Sequence, residues 1–282
     1  MPLSKVTTLT SASIDQFLNS LSATGVSPHT ARAYASDVSL MMEWSLTELG
    51  TKTTTSNFDN NATLWLNNHR KIWAARTTGR RVTALRSFAK VLKIDLEFLC
   101  DYNSPTPARA RPHPIPEGIA GVVAMIETCK DDRRRAVIAL CGLAGLRLHE
   151  ALAIRPRDVN VASMNIHVRG KGEKDRDVPL TPRCLQYIRE CLVEAILNGD
   201  NDEPMARYKD RFAREFITRA GRDAGLARAV SSHDLRATFL TAAYNKTLSI
   251  RAVQELAGHA SSATTEGYIE VAISALRDAA DV

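Results

Sequence analysis

Arg147, Glu150, Lys171, His233, Arg236, His259 and Tyr268 are the residues whose types and settings could do chemistry. Arg147 interrupts an apolar run in AGLRLHEAL, next to Leu146 and Leu148, and needs a partner. Glu150, three residues on, offers an ordinary salt bridge. Lys171 sits in RGKGEK, a glycine-containing polar turn, where exposure alone would account for a basic residue. His233 and Arg236 are three apart in SSHDLRATFL, which puts them on one helical face. His233 and Asp234 can also be read as caps of that helix. His259 follows Gly258 in LAGHASSATTEGYIE, and Tyr268 lies nine residues later, across small polar residues.

Together these residues suit displacement at a phosphodiester. That reaction builds negative charge on the phosphoryl oxygens, which metal enzymes stabilise with cations. Guanidinium forks can grip the same oxygens bidentately and stay charged at every relevant pH. A tyrosine hydroxyl, with a free pKa of about 10, is a poor nucleophile until a base or a positive field assists it. The leaving alkoxide needs a proton, and a lysine can supply one. The sequence has no HExxH, no Cys/His metal spacing, no acidic cluster for magnesium and no GxxxxGK[ST] loop. Neither a metal nor a cofactor is implied, and ATP hydrolysis is not suggested.

The elements that must position these groups are mostly helical. SASIDQFLNSLSATG begins with Ser/Thr cap candidates, carries Ile14, Phe17, Leu18 and Leu21, and stops at Gly25. In the next helix Ser27 is the expected N-cap and Pro28 lies in the first turn; Tyr34, Val38, Met41 and Met42 line one face, and Gly50 closes it. Helices are expected over 60–72 and 76–93. Residues 103–116, NSPTPARARPHPIP, hold five prolines and read as an extended linker. Beyond it, 134–146 is an apolar helix, and IHV and DVPL are short β-type runs on either side of GKGEKDR. Helical patterning returns from 182. The expected fold class is mainly α with a small antiparallel β-sheet: an all-α domain at 11–102, a linker at 103–116, and a mixed α+β domain at 117–282.

The chain of 282 residues carries a net charge of +6, which favours an anionic partner. The excess is uneven. Arg70, Lys71, Arg76, Arg80, Arg81, Arg86, Lys90 and Lys93 form an eight-residue basic run with no acidic residue among them. A solvated helix face usually mixes both signs. A one-signed run suits a phosphate backbone, where neutralisation releases counterions, so double-stranded DNA is the expected partner. The five cysteines are odd in number and lack CxxC spacing, which argues for a reducing compartment. No apolar leader and no membrane span are visible. The expected location is the cytoplasm, that of a host cell if the gene is phage-borne.

The series R147-L-H-E150, K171-G, H233-D-L-R236, G258-H259 and Y268 resembles the active-site signature of the tyrosine recombinases, which include phage integrases and Xer-type resolvases. The likeness covers essentially the whole chain and implies a helical core-binding domain followed by a catalytic domain. It implies that Arg147 and Arg236 clamp the scissile phosphate and that Tyr268 attacks it, leaving a 3′-phosphotyrosyl bond. Lys171 would protonate the 5′ oxygen, His233 would accept the tyrosine proton, His259 would hydrogen-bond the phosphate, and Glu150 would orient Arg147. It further implies a core-type recombination site as substrate, a homo-tetramer on DNA, and a tail after Tyr268 packed on a neighbouring subunit. The ten residues before Ser11 leave no room for an arm-binding domain, so the expectation is a phage-type integrase lacking one. The alternatives are an Xer-type dimer resolvase, a type IB topoisomerase-like relaxing enzyme, or a DNA-binding protein that has lost catalysis. Ala237 follows Arg236 where the family often has histidine.

Overall fold

Ser27 and Pro28 start the longest helix among the described residues as their chemistry requires: Ser27 Oγ accepts the N–H of Thr30 at 3.2 Å, and Pro28 occupies the position that needs no N–H donor. The computed structural model describes residues 6–106, 112–170 and 175–258. Two compact units are present, Met1–Arg109 and Ala110–Val282. Among the described residues no helix is long and apolar enough to cross a membrane.

The first unit is built from α1 (Ser11–Ala23), α2 (Pro28–Glu48), α3 (Phe58–His69) and α4 (Ala75–Leu92). Each turns one apolar stripe inward. On α4 the stripe is Val82, Leu85, Phe88 and Ala89, spaced for one helical face. Phe88 sits at the centre, 5.3 Å from Phe17 edge to face and 5.4 Å from Phe58 in a stack. Burying one such ring contributes roughly 1.5–3 kcal/mol. Asp59, in the first turn of α3, accepts the N–H groups of Glu97, Phe98 and Leu99 at 2.7–2.8 Å and so fixes the chain beyond α4.

The second unit contains α5 (Gly118–Thr128), α6 (Asp132–Leu143), α7 (Leu148–Ala153), a 3-10 turn at Pro156–Asp158, and strands β1 (Val159–Asn160), β2 (Asn165–Val168) and β3 (Arg176–Pro179). It continues through α8 (Pro182–Leu197), α9 (Asp210–Asp223), α10 (Ser232–Thr247) and α11 (Ile250–Ala257). Helix α6 is the hub. Every residue from Ala136 to Leu143 is buried, and the helix packs against α5, α8 and α10. A helix apolar all round can only sit inside.

The three strands form an antiparallel sheet in the order β1-β2-β3, with Ile166 opposite Val178 and Val168 opposite Arg176. Ile166, Val168 and Val178 face the core, whereas His167 and Asp177 are exposed on the other side. The expected fold class is therefore present, with β1 as an additional short edge strand. The proline-rich stretch reads differently in space. From Pro112 onward it belongs to the second unit: Ile115 is buried, its N–H donates to Thr238 Oγ1 at 2.8 Å, and Arg228 donates to the carbonyls of His113 and Pro114.

Candidate active site

The site grows from the end of α6. Gly145 has a φ of 71°, in the left-handed region, and a Cβ there would lie 2.4 Å from Phe239 Cδ1. Only glycine turns the chain here. Leu146 N–H then bonds back to Leu140 O at 3.0 Å, and Arg147 becomes the N-cap residue of α7. Glu150 reaches back to it: its Oε2 accepts the Arg147 N–H at 2.7 Å, and its Oε1 accepts Arg147 Nη1 at 3.0 Å.

Glu150 is only 5% exposed, yet it is charged. Arg176 at the start of β3 grips both of its oxygens, Nη1 to Oε1 and Nη2 to Oε2, each at 2.9 Å. Arg236 Nη1 lies 4.0 Å from Oε2. Burial by itself would raise the carboxyl pKa. The Arg176 guanidinium and the Arg147 N–H overcome that and hold it at about 2. A bidentate arginine pair is the strongest form this interaction takes.

Arg236, from α10, is 4% exposed. Its guanidinium donates to two backbone carbonyls, Gly145 O through Nη1 and Ala257 O through Nη2, the latter at 2.6 Å. Arg147 Nη2 reaches Gly258 O at 3.5 Å. Two arginines from different elements thus meet at the C-terminal end of α11, where helix carbonyls are left without intrahelical partners. The Arg147 side chain remains 34% exposed, so the cluster opens to solvent on its side. Cys141 lies buried near Arg236 and Glu150; burial pushes its thiol up to about 12, so it stays neutral and is no rival nucleophile.

The arrangement leaves Arg147 as the partly exposed cation of the cluster, on the side where an anion could approach. It brings Arg147, Glu150 and Arg236 together and adds Arg176, which sequence reasoning missed. A signal for Arg176 existed, because it shares the inward face of β3 with Val178, and a cation there demands a carboxylate. His233 lies exposed in the first turn of α10. The cap of that helix belongs to Ser231 and Asp234: Asp234 Oδ2 accepts Ser231 N–H at 2.7 Å. Lys171, His259 and Tyr268 lie outside the described residues, as does the tail after Tyr268. At the base of the β2–β3 connection, His167 bridges Asp177 at 3.0 Å and Asp175 at 3.3 Å; hydrogen bonding to Asp177 raises its pKa.

The basic run of the first unit divides by role. Arg86 donates to the carbonyls of Leu99, Cys100 and Tyr102. Arg81 pairs with buried Asp37 at 3.3 Å and lies 3.6 Å over the Trp73 ring, and Arg80 reaches the same carboxylate at 2.9 Å. Arg70, Lys71, Arg76 and Lys90 are exposed.

Residues 119–274 match the Phage integrase family, and residues 14–94 match the Phage integrase N-terminal SAM-like domain. Tyrosine recombinase XerC of Pelobacter propionicus is 29% identical over 281 residues, covering 91% of this chain and 89% of that protein. Tyrosine recombinase XerC of Vibrio campbellii is 30% identical over 220 residues, covering 73% of this chain and 70% of that protein. Among solved structures, a lambda integrase dimer bound to a COC' core site shares the fold with a TM-score of 0.70 at 16% identity, over 93% of this chain and 77% of that one.

Proposed function

Because the chain belongs to the phage integrase family and is a tyrosine recombinase, an enzyme of DNA strand transfer, we propose that it performs site-specific exchange of the Xer type between two duplex core sites. The relatives named XerC, aligned over most of the chain, favour this over phage-type integration. The observation that carries the mechanism is the meeting of Arg147 and Arg236 around Glu150, with the open side at Arg147.

In this reading the two guanidiniums take the nonbridging oxygens of one phosphate. Tyr268 Oη attacks phosphorus, the P–O5′ bond breaks, and a 3′-phosphotyrosyl ester forms. The phenol proton goes to His233, Lys171 protonates the departing 5′ oxygen, and His259 donates a hydrogen bond to the phosphate. Glu150 fixes Arg147 from behind. A fixed donor of this kind contributes roughly 3–4 kcal/mol to the transition state. The ester conserves the energy of the cleaved bond, so a second 5′-hydroxyl can reverse the reaction without ATP. Two duplexes present four strands to cut, which calls for a tetramer on DNA. Arg70, Lys71, Arg76 and Lys90 are the side chains of the first unit best placed by exposure to meet phosphates, with Arg80 partly available; Arg81 and Arg86 serve the fold.

The test is covalent capture. A pool of nicked duplexes with a randomised core is incubated with the chain, and adducts are isolated under denaturing conditions. The expected result is a protein–DNA adduct that Tyr268→Phe abolishes. Arg147→Ala and Arg236→Ala should abolish capture while duplex binding persists. Capture that survives Tyr268→Phe would overturn the assignment. Relaxation of plasmids without sequence preference would favour the topoisomerase alternative.

A further inference from the structure

We propose that Arg176 is a positioning residue of this site: by holding Glu150 bidentately it keeps that carboxylate from competing with the phosphate for Arg147 and Arg236. The proposal rests on the strand-transfer reading above. Glu150 is buried and negative, and a carboxylate has about four acceptor positions to fill. Arg176 fills one on each oxygen, both at 2.9 Å, and Arg147 fills the others through its backbone N–H and Nη1. Arg236 stands just outside, at 4.0 Å. Without Arg176 the buried charge would draw on the nearest remaining cations, and those are the two that the phosphate needs.

A second contact comes from the other side of the same guanidinium. Gly258, with a φ of 58°, closes α11, and a Cβ built there would lie 2.9 Å from Arg176 Cδ and 3.0 Å from its Nε. Gly258 O also accepts Arg147 Nη2 at 3.5 Å. Arg176 therefore lies between Glu150 and the end of α11, and it opens the strand that follows Lys171 in the chain. One side chain ties together the arginine pocket, strand β3, and the residue before His259.

The experiment measures adduct formation by the full chain on the nicked duplexes that the unaltered chain captures, with duplex affinity measured in parallel. Arg176→Met is expected to slow capture by roughly tenfold to a hundredfold, the usual range for a partner that acts by orienting another group, with duplex affinity within about twofold. Adding Glu150→Gln removes the competing charge, and the double variant is expected to capture about fivefold faster than Arg176→Met alone, a coupling ordinary for contacting residues. Capture is compared under conditions where circular dichroism shows every variant folded, so that the rescue reports the site and not recovered stability. Should circular dichroism show Arg176→Met unfolded, Arg176→Lys decides, because its ammonium keeps the charge but cannot span both oxygens. Slowed capture with affinity retained supports the role. Wild-type capture by the folded variants, or a double variant no faster than Arg176→Met, overturns it. An unaltered chain that captures no duplex removes the parent reading and this role with it.

Discussion

Replacing Glu150 by glutamine keeps the shape of the side chain but removes the negative charge held among Arg147, Arg176 and Arg236. The carboxyl pKa is lowered from 4.5 to about 2 in the folded chain. A depressed folded value means that stability is present above the unfolded pKa and lost as pH falls through the folded one. Each tenfold difference in acidity between the folded and unfolded chain is worth about 1.4 kcal/mol, so the charge contributes on the order of 3 kcal/mol at pH 7, and most of that is gone by pH 3. Glutamine approximates the protonated acid, so the difference between the two proteins should shrink over that range. Urea unfolding measures it, and the two units can be separated by probe. The three tryptophans, Trp44, Trp65 and Trp73, all lie in the first unit. Tryptophan fluorescence should therefore be indifferent to Glu150→Gln while the far-ultraviolet dichroism transition moves to lower urea. A difference below about 1 kcal/mol at pH 7, or one that does not change between pH 7 and pH 3, would mean that the Glu150 charge does not stabilise the second unit.

Asp59→Ala should act in the first unit: with the N–H groups of Glu97, Phe98 and Leu99 left without their acceptor, a loss of about 3 kcal/mol is expected, seen as an earlier tryptophan transition. An unmoved midpoint would count against that role. Gly258→Ala forces a side chain into left-handed backbone, a cost of about 1–2 kcal/mol, and presses on Arg176. It should slow adduct formation with duplex affinity retained, and an adduct rate equal to that of the unaltered chain would exclude the packing argument.

Most of the fold was legible because helix signals are local. Ser27-Pro28 starts α2 in the sequence and in the structure, and α6 reads as a buried helix from its unbroken apolar run. The exceptions involve partners distant in the chain. The residues after Pro112 look like a linker because proline dominates them, yet Ile115 is anchored by Thr238, a contact that no local pattern encodes. Arg81 and Arg86 look like their exposed neighbours in a basic run. Their commitment to Asp37, Trp73 and the carbonyls beyond α4 appears only once α2, α3 and α4 are packed.

The site shows the same division in sharper form. The Arg147–Glu150 pair could be read from its spacing of three, because both partners are side chains on one turn. Arg176 could have been found from strand alternation, since its β3 companion Val178 is buried and a charged group on that face needs a distant acid. The backbone surroundings of Arg236 could not. Its guanidinium donates to the carbonyls of Gly145 and Ala257, and a carbonyl is the same in every residue. What selects those two is where α6 and α11 stop. Both helices end at a glycine in left-handed backbone, Gly145 and Gly258, and each glycine is held to that type by a neighbour, Phe239 or Arg176, lying where a Cβ would go. The position of this buried guanidinium is thus written in two helix ends as much as in any pair of complementary side chains.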